Sequence, residues 1–215
     1  MTGLDFGKIN RVLCLGAHSD DIEIGCGGTI LKIVESRPDT EFYWAVFSGD
    51  TRRQEEARGS AEDFLQGGRV KAVRTESFRE SYFPSEWGAI KDAFESIRRD
   101  FEPDLVFTQY RDDRHQDHRV LSDLAWNTFR NHLVLEYEIP KYDGDLGIPN
   151  VFVELEAARA KRKAELIQKH FNTQTNKHWF EKSTFLALMR IRGVECAASS
   201  GYAEAFYGRK LVLGC

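Results

Sequence analysis

The chain reads as an α/β fold: a mainly parallel sheet with helices on both faces. Three observations predict this. Short apolar runs at 12–15, 42–47 and 105–108 lack polar alternation, as strands buried on both faces do. Amphipathic stripes at helical spacing lie between those runs, and glycine or proline marks most of the joints.

The segment Arg11-Val12-Leu13-Cys14-Leu15-Gly16 reads as the first strand, running into a turn at its glycine. Gly27-Gly28-Thr29 stands where an N-cap belongs. Ile30, Leu31, Ile33 and Val34 then recur at helical spacing until Arg37-Pro38 stops them. Residues 42–47 form the second strand. Residues 53–66 read as a helix with Ala57, Ala61, Phe64 and Leu65 as its inner stripe, ended by Gly67-Gly68. A short third strand is expected at 70–73, followed by an irregular aromatic stretch over 78–86. Ile90, Phe94, Ile97 and Phe101 mark a helix up to Pro103, and 105–108 is the fourth strand. Val120, Leu121, Leu124, Ala125 and Phe129 mark the next helix. A strand at 133–139, a loop at 140–150, a strand at 151–154 and a charged helix at 157–171 follow, and the tail has no clear pattern. In a doubly wound sheet of order 3-2-1-4-5, strands one and four are neighbours, and ligands bind beyond their carboxyl ends.

Bulk properties narrow the function classes. With 215 residues and 41% hydrophobic content, the chain can bury its core as one domain spanning 1–215. A formal charge of −4 argues against a nucleic-acid surface, which carries clustered positive charge, and favours a small-molecule substrate. Residues 1–10 include Asp5 and Lys8 and lack a secretory apolar core, and no membrane span is seen, so a cytoplasmic protein without a membrane partner is expected. Cys14, Cys26, Cys196 and Cys215 show no C-x-x-C pairing and read as free thiols. The C-terminal Val-Leu-Gly-Cys is not a prenylation box.

The titratable chemistry concentrates where strands one and four end. Gly16-Ala17-His18-Ser19-Asp20-Asp21 follows the first, and Arg111-Asp112-Asp113-Arg114-His115-Gln116-Asp117-His118 the second. Neutral imidazole and ionised carboxylate are the usual non-thiolate ligands of divalent metals, so the pattern points to a metal hydrolase. Asp20 and Asp21 are also good turn and cap formers, which is the plain reading of either alone. Two adjacent carboxylates beside a histidine repel each other unless a positive charge sits among them. His115 and His118 share a face if helical, although Arg111 and Arg114 also suit a salt-bridged surface turn. His132, His170 and His178 stand singly, and Cys26 fits small-residue packing. Gly25-Cys26-Gly27-Gly28 is no dinucleotide loop, since that pattern requires glycine at position 30, where the chain has isoleucine.

Ala17-His18-Ser19-Asp20-Asp21 with Gly27-Gly28-Thr29, and His115-Gln116-Asp117-His118, resemble the two signatures of the LmbE-like, or PIG-L, zinc-dependent N-deacetylases. Glu55-Glu56-Ala57-Arg58, Pro103-Asp104-Leu105-Val106 and Tyr202-Ala203-Glu204-Ala205-Phe206 extend the likeness along the chain. Ser19 replaces the usual proline, and 79–84 offers no aspartate of the kind many relatives direct at sugar hydroxyls. The resemblance implies a Rossmann-like fold and removal of an N-acetyl group from an N-acetylglucosamine-type conjugate. It implies His18, Asp21 and His118 as metal ligands and Asp20 as general base, where the residues alone leave Asp20 and Asp21 interchangeable. The implied metal is zinc, and Fe2+ suits the same donors.

His115 is the candidate for stabilising the oxyanion and protonating the departing amine, and Asp113 or Asp117 for orienting an imidazole. Arg53 is a candidate sugar or phosphate contact, the plain alternative being a solvated helix-opening arginine. Tyr110, with Tyr82 and Trp87, is a candidate aromatic platform, with packing as the alternative. A non-haem Fe(II) oxygenase and a metal phosphoesterase are rival readings of the same His/Asp cluster. The alternating α/β pattern disfavours the first, and the lack of a second ligand set the second. A non-catalytic sugar-binding module needs neither an unligated carboxylate nor an acid histidine.

Overall fold

The computed structural model describes residues 9–212. In chain order these form β1 (Arg11–Gly16), α1 (Asp21–Ser36), β2 (Glu41–Ser48), α2 (Thr51–Phe64), β3 (Arg69–Phe78), α3 (Trp87–Asp100) and β4 (Leu105–Gln109). Then come α4 (Gln116–Thr128), β5 (Leu133–Tyr137), β6 (Val151–Leu155), α5 (Ala157–His170), α6 (Lys182–Glu195) and β7 (Tyr202–Gly208). One sheet runs β3-β2-β1-β4-β5-β7-β6. The first five strands are parallel in the order 3-2-1-4-5, and β7 pairs antiparallel with both β5 and β6.

Successive strand side chains point to opposite faces, which gives the sheet two cores. Val12 and Cys14 of β1 join Phe42, Trp44 and Phe107 beneath α1, α2 and α5. Leu13 and Leu15 join Tyr43, Phe47 and Val106 beneath α3 and α4. Asp104, just before β4, accepts from the amides of Asn10 and Arg11 at 2.8 and 2.9 Å, holding β1 and β4 side by side.

Several elements differ from the sequence expectation. The first helix starts at Asp21, eight residues before Thr29. Its internal glycines are points of close approach rather than a break: a Cβ at Gly25 would lie 2.1 Å from the Tyr137 ring, and one at Gly27 2.6 Å from Phe64. β3 extends to Phe78, with a single 3-10 turn at Phe83–Ser85 inside the aromatic stretch. The patternless tail holds α6 and β7. Cys14, Cys26 and Cys196 are buried free thiols. Cys215 and most of the first ten residues lie outside the described residues. Among the described residues no helix is long and apolar enough to cross a membrane.

Candidate metal centre and active-site cleft

Because β1 and β4 are adjacent, the turns leaving their carboxyl ends face each other. The first turn is held from below, as the Ala17 carbonyl accepts from the Ser48 amide and hydroxyl at 2.9 and 2.7 Å. Asp20 occupies the position preceding α1, yet its side chain makes no cap hydrogen bond. Asp21 turns inward, accepting from the His18 amide at 2.7 Å and from Gln109 Nε2 at 3.0 Å. The capping alternative for this pair of aspartates is therefore not what the backbone uses. On the other side His115 precedes α4, its Nδ1 accepting from the Asp117 amide at 3.3 Å, and His118 lies within the first helical turn.

His18 Nδ1 and His118 Nε2 stand 3.1 Å apart, and Asp21 Oδ2 lies 3.4 Å from the first and 3.5 Å from the second. Bonds of about 2.0–2.1 Å at a tetrahedral centre set ligand atoms about 3.3–3.4 Å apart, so the triangle has the size of one face of such a site. Hydrogen bonding decides which nitrogens carry lone pairs. His118 Nδ1 lies 2.9 Å from Asp113 Oδ2, and His18 Nε2 lies 3.2 Å from Asp117 Oδ2. A proton on each of those nitrogens leaves the two facing nitrogens as acceptors, beside a carboxylate. Three acceptors at this spacing repel unless a cation lies between them, and the residues therefore fit a divalent metal. His18, His115 and His118 also offer nitrogens within 4.8 Å of one another. That is a looser set, and the hydrogen bond accepted by His115 Nδ1 further separates this residue from the ligand triangle.

The electrostatics carry the same demand for positive charge. Burial opposes protonation of His18, but the Asp21 and Asp117 carboxylates outweigh it and push its pKa up to about 10. Burial likewise opposes charge on His118, and Asp21 and Asp113 outweigh it, to about 9. Burial, then the Asp21 charge, raises the pKa of Asp20, against the opposing pull of Arg53. Burial and the neighbouring imidazoles His18 and His118 lower that of His115, favouring its neutral form. With Nδ1 accepting, the neutral ring carries its proton on Nε2 as a donor.

The cleft encloses about 720 Å3 including its open mouth, within the range of small-ligand sites. His18, Asp20, Asp21, Arg53, His115 and His118 all line it. Arg53 bonds Ser19 Oγ at 3.2 Å, pairs with Glu80 and reaches Asp20 at 3.9 Å, so it is no merely solvated arginine. Asp113 and Asp117 lie behind the His118 and His18 imidazoles; Asp117 also takes the Ser81 and Phe83 amides at 2.6 and 3.1 Å. Tyr110 is placed elsewhere. Its ring stacks on Tyr207 at 3.8 Å between centroids, and it does not line the cleft. Tyr82 packs under Arg79 instead, and Trp87 opens α3 on the surface. The aromatic lining comes from Tyr142 and Trp179. Tyr142 follows β5, a strand neighbouring β4, so switch-point reasoning would have found it; nothing local in the sequence marks Trp179.

Asparagine at 113 keeps the shape but weakens the hydrogen-bond acceptor behind His118. Asp113→Asn is expected to lower metal affinity about 10–100-fold, measured by competition with a chromogenic chelator.

Solved structures share this fold. N,N'-diacetylchitobiose deacetylase from Pyrococcus horikoshii is 22% identical with a TM-score of 0.71, covering 94% of this chain and 84% of that one. The conserved protein TT1542 from Thermus thermophilus is 18% identical with a TM-score of 0.71, covering 97% and 98%. GalB, the 4-carboxy-2-hydroxymuconate hydratase from Pseudomonas putida KT2440, is 17% identical with a TM-score of 0.69, covering 96% and 100%. The family model for GlcNAc-PI de-N-acetylases, PIG-L, matches residues 13–129, a span that takes in the turns after β1 and β4 and more than half of the sequence, and the chain belongs to that family.

Proposed function

We propose that this chain is a metal-dependent hydrolase that removes the N-acetyl group of an N-acetylamino sugar, giving acetate and a free amine. The observation that carries the reading is the triangle of His18 Nδ1, Asp21 Oδ2 and His118 Nε2, with edges of 3.1–3.5 Å, beside a carboxylate outside it, Asp20. Family membership and the deacetylase from Pyrococcus horikoshii on the same fold support the substrate class.

A divalent cation held by His18, Asp21 and His118, with zinc the best match to two imidazoles and a carboxylate, would polarise a water and the amide carbonyl. Asp20 takes the proton from the attacking water, and its raised pKa moves it toward the range in which a base works at neutral pH. His115, neutral and with Nε2–H as its donor, stabilises the developing oxyanion and passes that proton to the poor amine leaving group, to be replaced by the proton that Asp20 took from the water. Asp113 and Asp117 hold the two ligand imidazoles in their lone-pair-inward tautomers.

The test is acetate release from a panel of N-acetylglucosamine conjugates. Dialysis against a chelator is expected to abolish it, and about one equivalent of Zn2+ or Fe2+ to restore it. The occurrence of a hydratase on this fold makes acetate the decisive product. Failure of every conjugate to release acetate from metal-loaded protein sinks the assignment.

A further inference from the structure

The outer half of the cleft contains side chains that the hydrolytic step leaves unused. Lys177 and Trp179 come from the segment between α5 and α6, and Tyr142 from the loop after β5. That segment is fixed at both ends. Thr173 donates to the Glu56 carboxylate through its amide at 3.0 Å and its hydroxyl at 2.6 Å. Phe180 is buried, its ring centroid 5.4 Å from that of Phe185. Tyr142 Oη meets His178 Nδ1 at 3.3 Å, joining the segment to the loop. The wall is therefore held in place in the free protein, which lowers the ordering cost of binding against it.

Of the three cations lining the cleft, two are engaged by protein carboxylates. Lys141 Nζ contacts Asp113 and Asp145 at 2.6–2.9 Å. Arg53 pairs with Glu80 and reaches Asp20. Among the described residues Lys177 enters no ion pair, and its ammonium lies 5.7 Å from the centroid of the Trp179 ring. An ammonium poised over an aromatic face, within reach of the Asp20 charge but in no ion pair with it, suits a ligand that supplies both a ring and a negative charge. Asp143, the remaining acid of this half, is also outside any ion pair and suits sugar hydroxyl donors.

We propose that Lys177, Trp179 and Tyr142 form a subsite for the unit joined to the amino sugar, and that this unit carries a phosphate or a carboxylate. The aromatic faces carry the unit's apolar surface, and the ammonium binds its anion. The inference deepens the deacetylase reading and rests on it.

Binding is measured by calorimetry on metal-loaded Asp20→Asn protein, where turnover does not interfere. The probes are N-acetylglucosamine 1-phosphate, an N-acetylglucosaminyl–glucuronic acid disaccharide and the neutral methyl glycoside of N-acetylglucosamine. At least one anionic probe is expected to bind about tenfold more tightly than the neutral one, the gain of one charge-assisted contact. Which anionic probe gains separates phosphate from carboxylate. Added Lys177→Gln abolishes the ratio, Lys177→Arg keeps it, and Trp179→Ala weakens all three probes, with circular dichroism checking the fold. Equal affinity for neutral and anionic probes, a ratio that survives Lys177→Gln, or no binding by any probe overturns the proposal. Absence of acetate release by the wild-type chain, with the binding ratio intact, overturns the deacetylase reading and leaves the subsite standing.

Discussion

Asp20→Asn is expected to keep one metal per chain and the native fold while acetate release falls about 10²–10⁴-fold, the usual contribution of a positioned general base. The replacement is isosteric, and the site explains why metal survives it. Asp20 is outside the His18–Asp21–His118 triangle, and its nearest cation, Arg53, is 3.9 Å away. Asp21→Asn supplies the converse. Asp21 Oδ2 lies within 3.5 Å of both His18 Nδ1 and His118 Nε2, so this variant should lose metal and activity together. Metal content by inductively coupled plasma spectrometry, run beside the acetate assay, separates the two carboxylates. An Asp20→Asn protein within tenfold of wild type removes the base assignment, and one that loses its metal makes Asp20 a ligand.

That pair of variants addresses the point at which sequence reasoning stops. His18 and His118 can be picked out because each follows the end of a predicted strand, and strand order brings those ends together. Choosing between Asp20 and Asp21 depends on where the helix starts. With α1 beginning at Asp21, successive carboxylates point in different directions, one into the triangle and one into the cleft. Three glycines hid that start, because a glycine that lets Tyr137 or Phe64 approach looks in sequence like one that breaks a helix. The placement of Asp113 and Asp117 against His118 and His18 agrees with the expectation that an imidazole used as a metal ligand needs an acceptor for its other N–H. The distal wall is not legible in this way. Lys177 and Trp179 are carried to the cleft by a segment whose Thr173 bonds Glu56, 117 residues away in sequence, and no local pattern encodes that.

β6 is legible in the sequence, whereas β7, which makes the edge antiparallel, is not, for a related reason. β7 alternates poorly because it is covered on both faces, and its Glu204 would ordinarily argue for a surface position. Here the charge is buried and matched. Lys163, on the inner face of a helix that reads as charged throughout, supplies the partner. A fully buried Lys–Glu pair is invisible to hydrophobic periodicity, which scores both positions as solvent-facing.

Lys163→Met is consequently expected to cost about 3–5 kcal/mol of folding stability, measured by urea unfolding, because it strands a carboxylate away from water. Lys163 Nζ donates at 2.6 Å to both Glu204 Oε1 and the Ile24 carbonyl. Glu204 in turn accepts from the amides of Gly28 and Thr29 at 2.8 and 2.6 Å. The pair thus clamps the middle of α1 to α5 and β7, and a Cβ at Gly28 would stand 3.0 Å from the Glu204 carboxylate. A loss of that size is a large part of the roughly 5–15 kcal/mol typical of a whole domain. The combination Lys163→Met with Glu204→Gln should recover part of it, since a neutral amide still accepts one amide hydrogen bond without burying an unpaired charge. Because α1 begins at Asp21, loosening this clamp should also weaken metal binding, although neither Lys163 nor Glu204 lines the cleft. A single variant within about 1 kcal/mol of wild type, or a double variant less stable than the single, would show that Glu204 is held by its amide donors rather than by the lysine.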